Sequence, residues 1–258
     1  MNFPNFDHKH DRKSLLNAED IVAYRRRLGR YPDIPDLRGV LLCLERGLPH
    51  RMRWKIPVKN VGSMNGDLYG VKKTRNRVAV MTGFGGGSPM VAELAEEFAV
   101  MGAKQLVLMT WGGALQPDLK AGDIVVCDRA IRDDGASHHY LPAEKYISAN
   151  NELVGCLVEA IRSRGAECTV GTTWTTDAPY RETLDEVRQY QSERVKTVEM
   201  ESSGLFTIGQ TRGVATASIV VVMDSLASYF WTVPERLDPI SRSLEIVYAA
   251  AIDVLASS

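Results

Sequence analysis

Cysteine is scarce in this 258-residue sequence, and its spacing matches no metal or disulfide motif. The four cysteines are scattered along the chain: Cys43, Cys127, Cys156 and Cys168. No two of them form a Cys-x-x-Cys pair, and no histidines stand at zinc-ligand spacing beside them. This argues against a structural zinc site and a disulfide framework, and it fits a reducing compartment. We therefore expect a cytoplasmic protein without a bound metal.

Long hydrophobic runs and an excess of charge of one sign are missing as well. No apolar run approaches the ~20 residues that a membrane-spanning helix needs, and the N-terminal stretch MNFPNFDHKHDRK lacks the apolar region of a secretory signal. The formal net charge is -1, so no overall field favours nucleic acid or an anionic membrane. We expect a small-molecule partner, with neither nucleic acid nor membrane.

What is present is an ordinary globular composition, 45% hydrophobic and 24% charged, in which apolar strand-like runs alternate with helical patterns. This alternation predicts the α/β class, with one domain built on a central mixed β-sheet flanked by helices. We place an N-terminal arm and helix at residues 1–35 and the main α/β domain at 36–258.

Local signals predict several element boundaries. Asn17 is a suitable N-cap for a helix over 17–30, and Ser88 precedes Pro89 at the start of a helix over 89–101 that Gly102 would end. The runs 39–44, 77–82 and 215–224 predict buried strands, and the stretch 110–123 predicts a glycine-rich loop.

The stretch GFGGGS, Gly83 to Ser88, lies between a predicted strand and a predicted helix. Its spacing fits a dinucleotide-binding fingerprint only loosely, because Ser88 stands where the third glycine belongs. Exposed amides at a helix N-terminus suit an anion or a sugar oxygen. A tight turn without a ligand explains the same residues.

A glutamate lies in the stretch TVEMESSGLF, where the chain turns apolar. Glu201 is in line with Leu205 and Ile208 on one face of a helix. Its carboxylate either favours the positive end of a helix that begins there or lines a buried site, since an unpaired buried carboxylate is rarely tolerated.

Asp224 ends the most apolar strand of the chain. Ligands in open α/β sheets gather at the carboxyl ends of strands, where the predicted 110–123 loop also lies. The carboxylate of Asp224 can serve as a helix N-cap or as a general acid.

Taken in order, the motifs GFGGGSP, WGGALQPDLKAGDIV, AIRDDGASHHYL, TTDAPYRE and VEMES, followed by a strand ending in aspartate, resemble the nucleoside phosphorylase superfamily. That family includes uridine phosphorylases, bacterial purine nucleoside phosphorylases and nucleosidases. The resemblance covers about Gly39 to the C-terminus. It implies the family's fold, cleavage of a ribosyl N-glycosidic bond, and a homo-oligomer, from dimer to hexamer, with shared sites.

The resemblance also assigns residues to the sugar and the base. Met200 and Glu201, with Glu199 beside them, would bind the ribose hydroxyls. Asp224 would protonate the leaving base, near Tyr180 and Gly113. The glutamine and arginine that read uracil in uridine phosphorylases have no counterpart in 181–187, so we expect a purine.

The nucleophile side departs from the family pattern. A phosphate-binding arginine and a threonine or serine of the family align with Leu108 and Trp111, and a glycine aligns with Leu42. Arg46 retains one family arginine, and Gly83 would supply backbone next to the nucleophile. His8 or His10 would be the arm that reaches a neighbouring subunit.

Three functional hypotheses follow. The first is phosphorolysis of a purine nucleoside to free base and ribose 1-phosphate, with inorganic phosphate as co-substrate and no metal or organic cofactor. Phosphate would then be held by groups such as Arg46, Arg132 and the amides of 83–87. The alternatives are hydrolysis by a phosphate-independent nucleosidase, and a catalytically weakened homologue that binds a nucleoside. An acid facing the base favours an enzyme, because binding alone does not require one.

Overall fold

The computed structural model describes residues 4–32, 34 and 36–257, which contain a ten-stranded mixed sheet and the helices that flank it. The strands are β1 (Gly39–Cys43), β2 (Val58–Ser63), β3 (Asp67–Val71), β4 (Val78–Thr82), β5 (Gln105–Ala114), β6 (Ile124–Asp133), β7 (Tyr146–Ser148), β8 (Thr169–Thr176), β9 (Thr197–Glu199) and β10 (Ala215–Ser225). The helices are α1 (Ala18–Arg27), α2 (Leu48–Arg51), α3 (Ser88–Met101), α4 (Asn151–Arg162), α5 (Leu184–Ser192), α6 (Ser202–Arg212) and α7 (Asp238–Ala256). The predicted α/β class and central mixed sheet are confirmed.

The order of strands brings several chain segments to one edge of the sheet. β1 pairs in parallel with β4 and β5, and β5 pairs in parallel with β10. β10 continues antiparallel to β6, β6 parallel to β8, β8 parallel to β9, and β9 antiparallel to β5, which closes a ring of five strands. The carboxyl ends of β1, β4, β5 and β10 therefore lie together, where α/β proteins bind their ligands.

The central strands are buried because helices cover the sheet. All five residues of β1 and all five of β4 are buried, as continuous apolar runs in covered parallel strands require. Helix α7 packs against the start of β1, where a Cβ on Gly39 would lie 2.9 Å from Cδ2 of Leu255.

Two predicted helix starts have different outcomes. Asn17 caps α1 in a capping box with Asp20, which confirms that prediction. Ser88 is not an N-cap, because α3 begins at Ser88 itself and Gly87 occupies the cap position with φ +95°. The Ser88 hydroxyl donates instead to the carbonyl of Met200, 3.2 Å away.

The predicted loop over 110–123 is wrong in its first half, because β5 runs on through Ala114. Gly112 belongs to the strand, and a Cβ there would lie 2.3 Å from the carbonyl oxygen of Val198 on β9. Glycine is therefore needed for close approach of two strands. The β2–β3 hairpin was not predicted, because its partly exposed edge strand carries no strong apolar pattern.

The N-terminal helix α1 packs on the main body of the protein. Arg25 of α1 forms an ion pair with the buried Glu97 of α3, and Arg212 of α6 pairs with Glu19. Residue 35, the boundary proposed between arm and domain, lies outside the described residues, and the division stays a prediction. Within 4–32, 34 and 36–257, the helices are too short or too polar to cross a bilayer.

Candidate active site

Glu201 lies at the start of α6 and is only 3% exposed. Its carboxylate accepts hydrogen bonds from the Gly87 amide at 2.7 Å, the Thr110 hydroxyl at 3.1 Å and the Met200 amide at 3.3 Å. Burial raises the pKa of Glu201, and these three donors act against that rise. Glu201 thus joins the loop before α3, strand β5 and the β9–α6 turn at one buried point.

Glu199 lies beside Glu201 but faces protein donors. Its carboxylate accepts from the Thr175 hydroxyl at 2.5 Å and from the backbone amides of Glu201 and Ser202 at 2.8 and 2.7 Å. Burial, and then the neighbouring Glu201 carboxylate, raise the pKa of Glu199. These bonds hold the β9–α6 turn, which favours a supporting role over the predicted direct contact with ribose.

The glycine-rich loop lies next to Glu201 and Arg46. A Cβ on Gly86 would lie 3.0 Å from Oε1 of Glu201, and a Cβ on Gly83 would lie 3.2 Å from Nε of Arg46. The Arg46 side chain is 78% exposed and lies 3.8 Å from Asp67, so a charged ligand can reach it. The structure therefore places Arg46 and Glu201 against the same glycine-rich loop, at Gly83 and Gly86. Their roles toward sugar and nucleophile stay a prediction.

Two positions that the resemblance matches to a glycine and a phosphate-binding arginine are apolar neighbours. Leu42 and Leu108 are register partners on β1 and β5, and both are fully buried. Trp111, three residues further along β5, is half-buried. These side chains leave this part of the site without the charged donors that grip a dianion.

Arg132 does not serve the nucleophile side. Its guanidinium donates to the hydroxyl and carbonyl of Ser137 and to the carbonyls of Leu141 and Pro142. Burial lowers the pKa of Arg132. The side chain holds the 137–142 loop together, and the hypothesis that it binds phosphate is corrected on that ground.

Asp224 lies near the end of β10, at a bulge in its pairing with β5. A Cβ on Gly113 would lie 2.7 Å from Oδ1 of Asp224, so glycine leaves that oxygen room. The indole Nε1 of Trp231 donates to Oδ2 at 3.0 Å. The N-cap interpretation is wrong, because the next helix, α7, begins only at Asp238.

Two further residues on the base side are Tyr180, which the sequence predicted, and Glu182, which it did not. Tyr180 is 100% exposed in the short 3-10 helix Pro179–Arg181, so its ring covers nothing within the chain. Glu182, two residues on, is half-buried, and burial followed by the charges of Asp224 and Glu186 raises the pKa of Glu182 to about 7.

Sequence reasoning also missed Thr110 and Trp231. The aromatic run Tyr229-Phe230-Trp231, directly after the strand that carries Asp224, was a usable signal for the second of these. No sequence pattern marks Thr110 as a partner of Glu201.

Strand β5 sets the distance between the parts of the site around Glu201 and Asp224. Its Thr110 contacts Glu201 and its Gly113 adjoins Asp224, three residues apart along one strand. At a rise of roughly 3.3 Å per residue, the two contacts lie about 10 Å apart. A carboxylate at each end of such a stretch can hold sugar hydroxyls at one end and a ring nitrogen of a base at the other.

The N-terminal arm lies against its own chain. Lys9 Nζ lies 2.9 Å from Nδ1 of His139. His8, His10 and Asp11 each place one ligand atom within 4.8 Å of the others. The predicted reach of His8 or His10 into a neighbouring subunit stays a prediction.

The chain matches known proteins over much of its length. A family model described as "Phosphorylase superfamily" matches residues 44–251. The chain is 33% identical to the uridine phosphorylase of Haemophilus influenzae over 160 residues, which are 57% of this chain and 63% of that protein. It is 30% identical to a DeoD-type purine nucleoside phosphorylase of Bacillus cytotoxicus over 179 residues, 68% of this chain and 76% of that one.

A solved structure shares the fold across nearly the whole chain. The AMP nucleosidase from Bacteroides thetaiotaomicron superposes with a TM-score of 0.73 at 20% identity, covering 93% of this chain and 99% of that one. The arrangement of strands around the carboxyl-end edge is therefore shared with a protein of very different sequence.

Proposed function

Because the chain belongs to the phosphorylase superfamily, we propose that it cleaves the N-glycosidic bond of a purine nucleoside by phosphorolysis. The products would be the free base and ribose 1-phosphate. One observation carries this proposal: strand β5 connects Glu201, through Thr110, with Asp224, beside Gly113. In this proposal, Glu201 faces the sugar of the nucleoside and Asp224 faces its base.

At the sugar end, Glu201 is the group that binds ribose. A carboxylate offers about four acceptor positions, and protein donors occupy three on Glu201. The position left over can accept from a ribose hydroxyl, in a charge-assisted bond of about 1.5–3 kcal/mol. The negative charge also stabilises the ribosyl cation that develops as the glycosidic bond breaks, more than it stabilises the bound substrate.

At the base end, Asp224 donates a proton to a ring nitrogen of the departing base. Gly113 gives the carboxyl group room toward the ligand, and general acid catalysis of this kind contributes about 10²–10⁴-fold. A purine fits this role because its imidazole part offers a nitrogen to protonate. The segment 181–187 carries no residues matching those that read uracil in uridine phosphorylases.

On the nucleophile side, Arg46 and the backbone of the Gly83 loop would hold inorganic phosphate. Arg46 is exposed and adjoins Gly83, and a guanidinium matches the geometry of a phosphate group. We propose no metal or organic cofactor, since the residues described above supply acid and charge by themselves.

Hydrolysis is the second candidate, and the leucine pair favours it. Leu42 and Leu108 lie side by side, buried, at positions that the resemblance matches to a glycine and a phosphate-binding arginine. Without the charge of that arginine, water is favoured over a dianion as the nucleophile.

The test is base release from a panel of purine and pyrimidine nucleosides, with and without inorganic phosphate, with the sugar product identified. Phosphate-dependent formation of ribose 1-phosphate supports phosphorolysis. Free ribose at a phosphate-independent rate supports hydrolysis. Preference for uridine would overturn the purine assignment, and absence of release from every nucleoside would overturn both enzymatic proposals and leave binding alone.

A further inference from the structure

The loop that follows β10 is anchored next to Asp224. Ser225 and Thr232 exchange two backbone hydrogen bonds, both 2.9 Å, which close the loop at its base. Tyr229 within it has φ +66°, a left-handed conformation that sharpens the turn. The guanidinium of Arg188, on α5, lies 5.4 Å from the Tyr229 ring. Trp231 therefore lies at a fixed position in a constrained loop, one residue before Thr232, which pairs with Ser225.

The position of the Trp231 indole is not explained by burial. The residue is 68% exposed, so little of its apolar surface is removed from water. Its specific contact is the hydrogen bond from Nε1 to Oδ2 of Asp224, at 3.0 Å. Because this exposed tryptophan gains little from burial, its hydrogen bond to Asp224 indicates that the indole orients the carboxyl group.

We propose that Trp231 is a positioning residue that fixes the carboxyl group of Asp224 for proton transfer to the base. This inference rests on the function proposed above. The indole N–H holds Oδ2, and the absence of a side chain at Gly113 leaves Oδ1 as the oxygen presented to the ligand. One oxygen is thus committed to the protein and the other to the substrate.

The proposed step balances as follows. As the bond between the sugar C1′ and the base nitrogen breaks, its electron pair goes to the base, and the proton on Oδ1 of Asp224 moves to a ring nitrogen. The base leaves neutral, C1′ bonds to an oxygen of the nucleophile, and Asp224 is left ionised. A hydrogen bond donated to Oδ2 strengthens as this negative charge develops, so it stabilises the transition state more than the ground state.

The decisive comparison uses two substrates and three variants at Trp positions. Trp231→Phe keeps a ring and removes the N–H, Trp231→His keeps an N–H donor, and Trp54→Phe changes an exposed tryptophan that lies over Arg53. One substrate is an ordinary purine nucleoside. The other is an N7-methylated purine nucleoside, whose base leaves neutral without accepting a proton.

We expect Trp231→Phe to lower kcat for the ordinary nucleoside about 10- to 100-fold, with KM little changed. The N7-methylated substrate should be cleaved within a few-fold of the wild-type rate. Trp231→His should recover part of the loss, and Trp54→Phe should behave as wild type on both substrates. Equal losses on both substrates, or no loss on either, would overturn the inference.

A second measurement is independent of activity, so failure of the proposed function can be told apart from failure of this inference. The difference between the emission spectra of wild type and Trp231→Phe isolates the Trp231 fluorescence. We expect the same difference, measured with Asp224→Ala in both proteins, to change. Measured with Asp118→Ala in both, at an exposed surface position, it should stay unchanged. If the wild type cleaves no nucleoside, an unchanged spectrum in Asp224→Ala overturns the inference and a changed one supports the contact.

Discussion

Glu201 is a carboxylate in a place where burial makes charge costly. The Gly87 amide, the Thr110 hydroxyl and the Met200 amide offset that cost, and they come from three separate segments of the chain. Such a residue is held in one orientation by its surroundings. The same surroundings make its removal a clean test of the sugar end of the site.

Glu201→Gln should reduce kcat/KM for a nucleoside about 10- to 100-fold, because the charge-assisted bond to ribose and the charge near the developing cation are both lost. Steady-state kinetics on the most active nucleoside of the panel would measure this. Glu97→Gln, at another buried glutamate that pairs with Arg25 outside the site, is the matched control. Activity of Glu201→Gln within a few-fold of wild type would contradict the assignment.

Arg46 gives a separate test of the nucleophile side. Arg46→Met should raise KM for phosphate about 10-fold or more, because one charge-assisted contact to the anion is lost, while KM for the nucleoside stays near wild type. Arg53→Met removes an arginine that lies over Trp54 and should change neither constant. An unaltered KM for phosphate in Arg46→Met would show that the anion binds elsewhere.

At the scale of elements, β5 is the part that assembles the site. Its Thr110 supports Glu201, Gly112 allows β9 to approach, and Gly113 leaves room for Asp224. The sequence identified the strand and the glycines but not that the strand continues through them. Its extension depends on pairing with β9 and β10, which come about a hundred residues later in the chain, and local patterns contain no information on such pairing.

Gly113→Ala should lower activity at least 10-fold, because its Cβ would lie 2.7 Å from Oδ1 of Asp224 and force the carboxyl group to move. The control is Gly155→Ala in α4, where a Cβ meets nothing within 4 Å. That change should leave activity intact and raise the free energy of unfolding by about 0.5–1 kcal/mol. Steady-state kinetics would measure the activity of both variants, and urea unfolding would measure their stability. Full activity of Gly113→Ala would refute the role of the glycine.

On the scale of the whole molecule, the site is a place where acidic groups are crowded and partly dehydrated. Burial raises the pKa of Glu182 to about 7, and the nearby charges of Asp224 and Glu186 add to the rise. A carboxyl group whose pKa is higher in the folded than in the unfolded protein binds more protons in the folded state, at pH values between the two pKa values. Its contribution to stability is therefore complete below its unfolded pKa, near 4.5, and is lost as the pH rises to about 7.

Glu182→Gln should flatten this part of the stability profile. The free energy of unfolding of the variant should equal that of wild type near pH 4.5 and exceed it by about 1 kcal/mol at pH 8, a value reduced for solvent screening of a half-buried group. Urea unfolding across that range measures the difference. Asp185→Asn, at an exposed position on α5, serves as the control. Parallel profiles for Glu182→Gln and wild type would contradict the prediction.

Taken by itself, the sequence determined the α/β class, the helix begun by Asn17, the buried strands and the family to which the chain belongs. These follow from local periodicity, capping chemistry and the order of short motifs, all of which are present in the linear chain. It also singled out Glu201, Asp224, Gly83 and Arg46 as residues of interest.

Only the tertiary structure decided how those residues are arranged. Folding directs Glu199 into the β9–α6 turn, engages Arg132 in the 137–142 loop, and brings Trp231 to Asp224. It also places Leu42 against Leu108 on neighbouring strands. The physical reason is that hydrogen bonds and burial depend on which distant segments meet in space, and a carboxylate or guanidinium acquires its role from the donors, acceptors and solvent left around it.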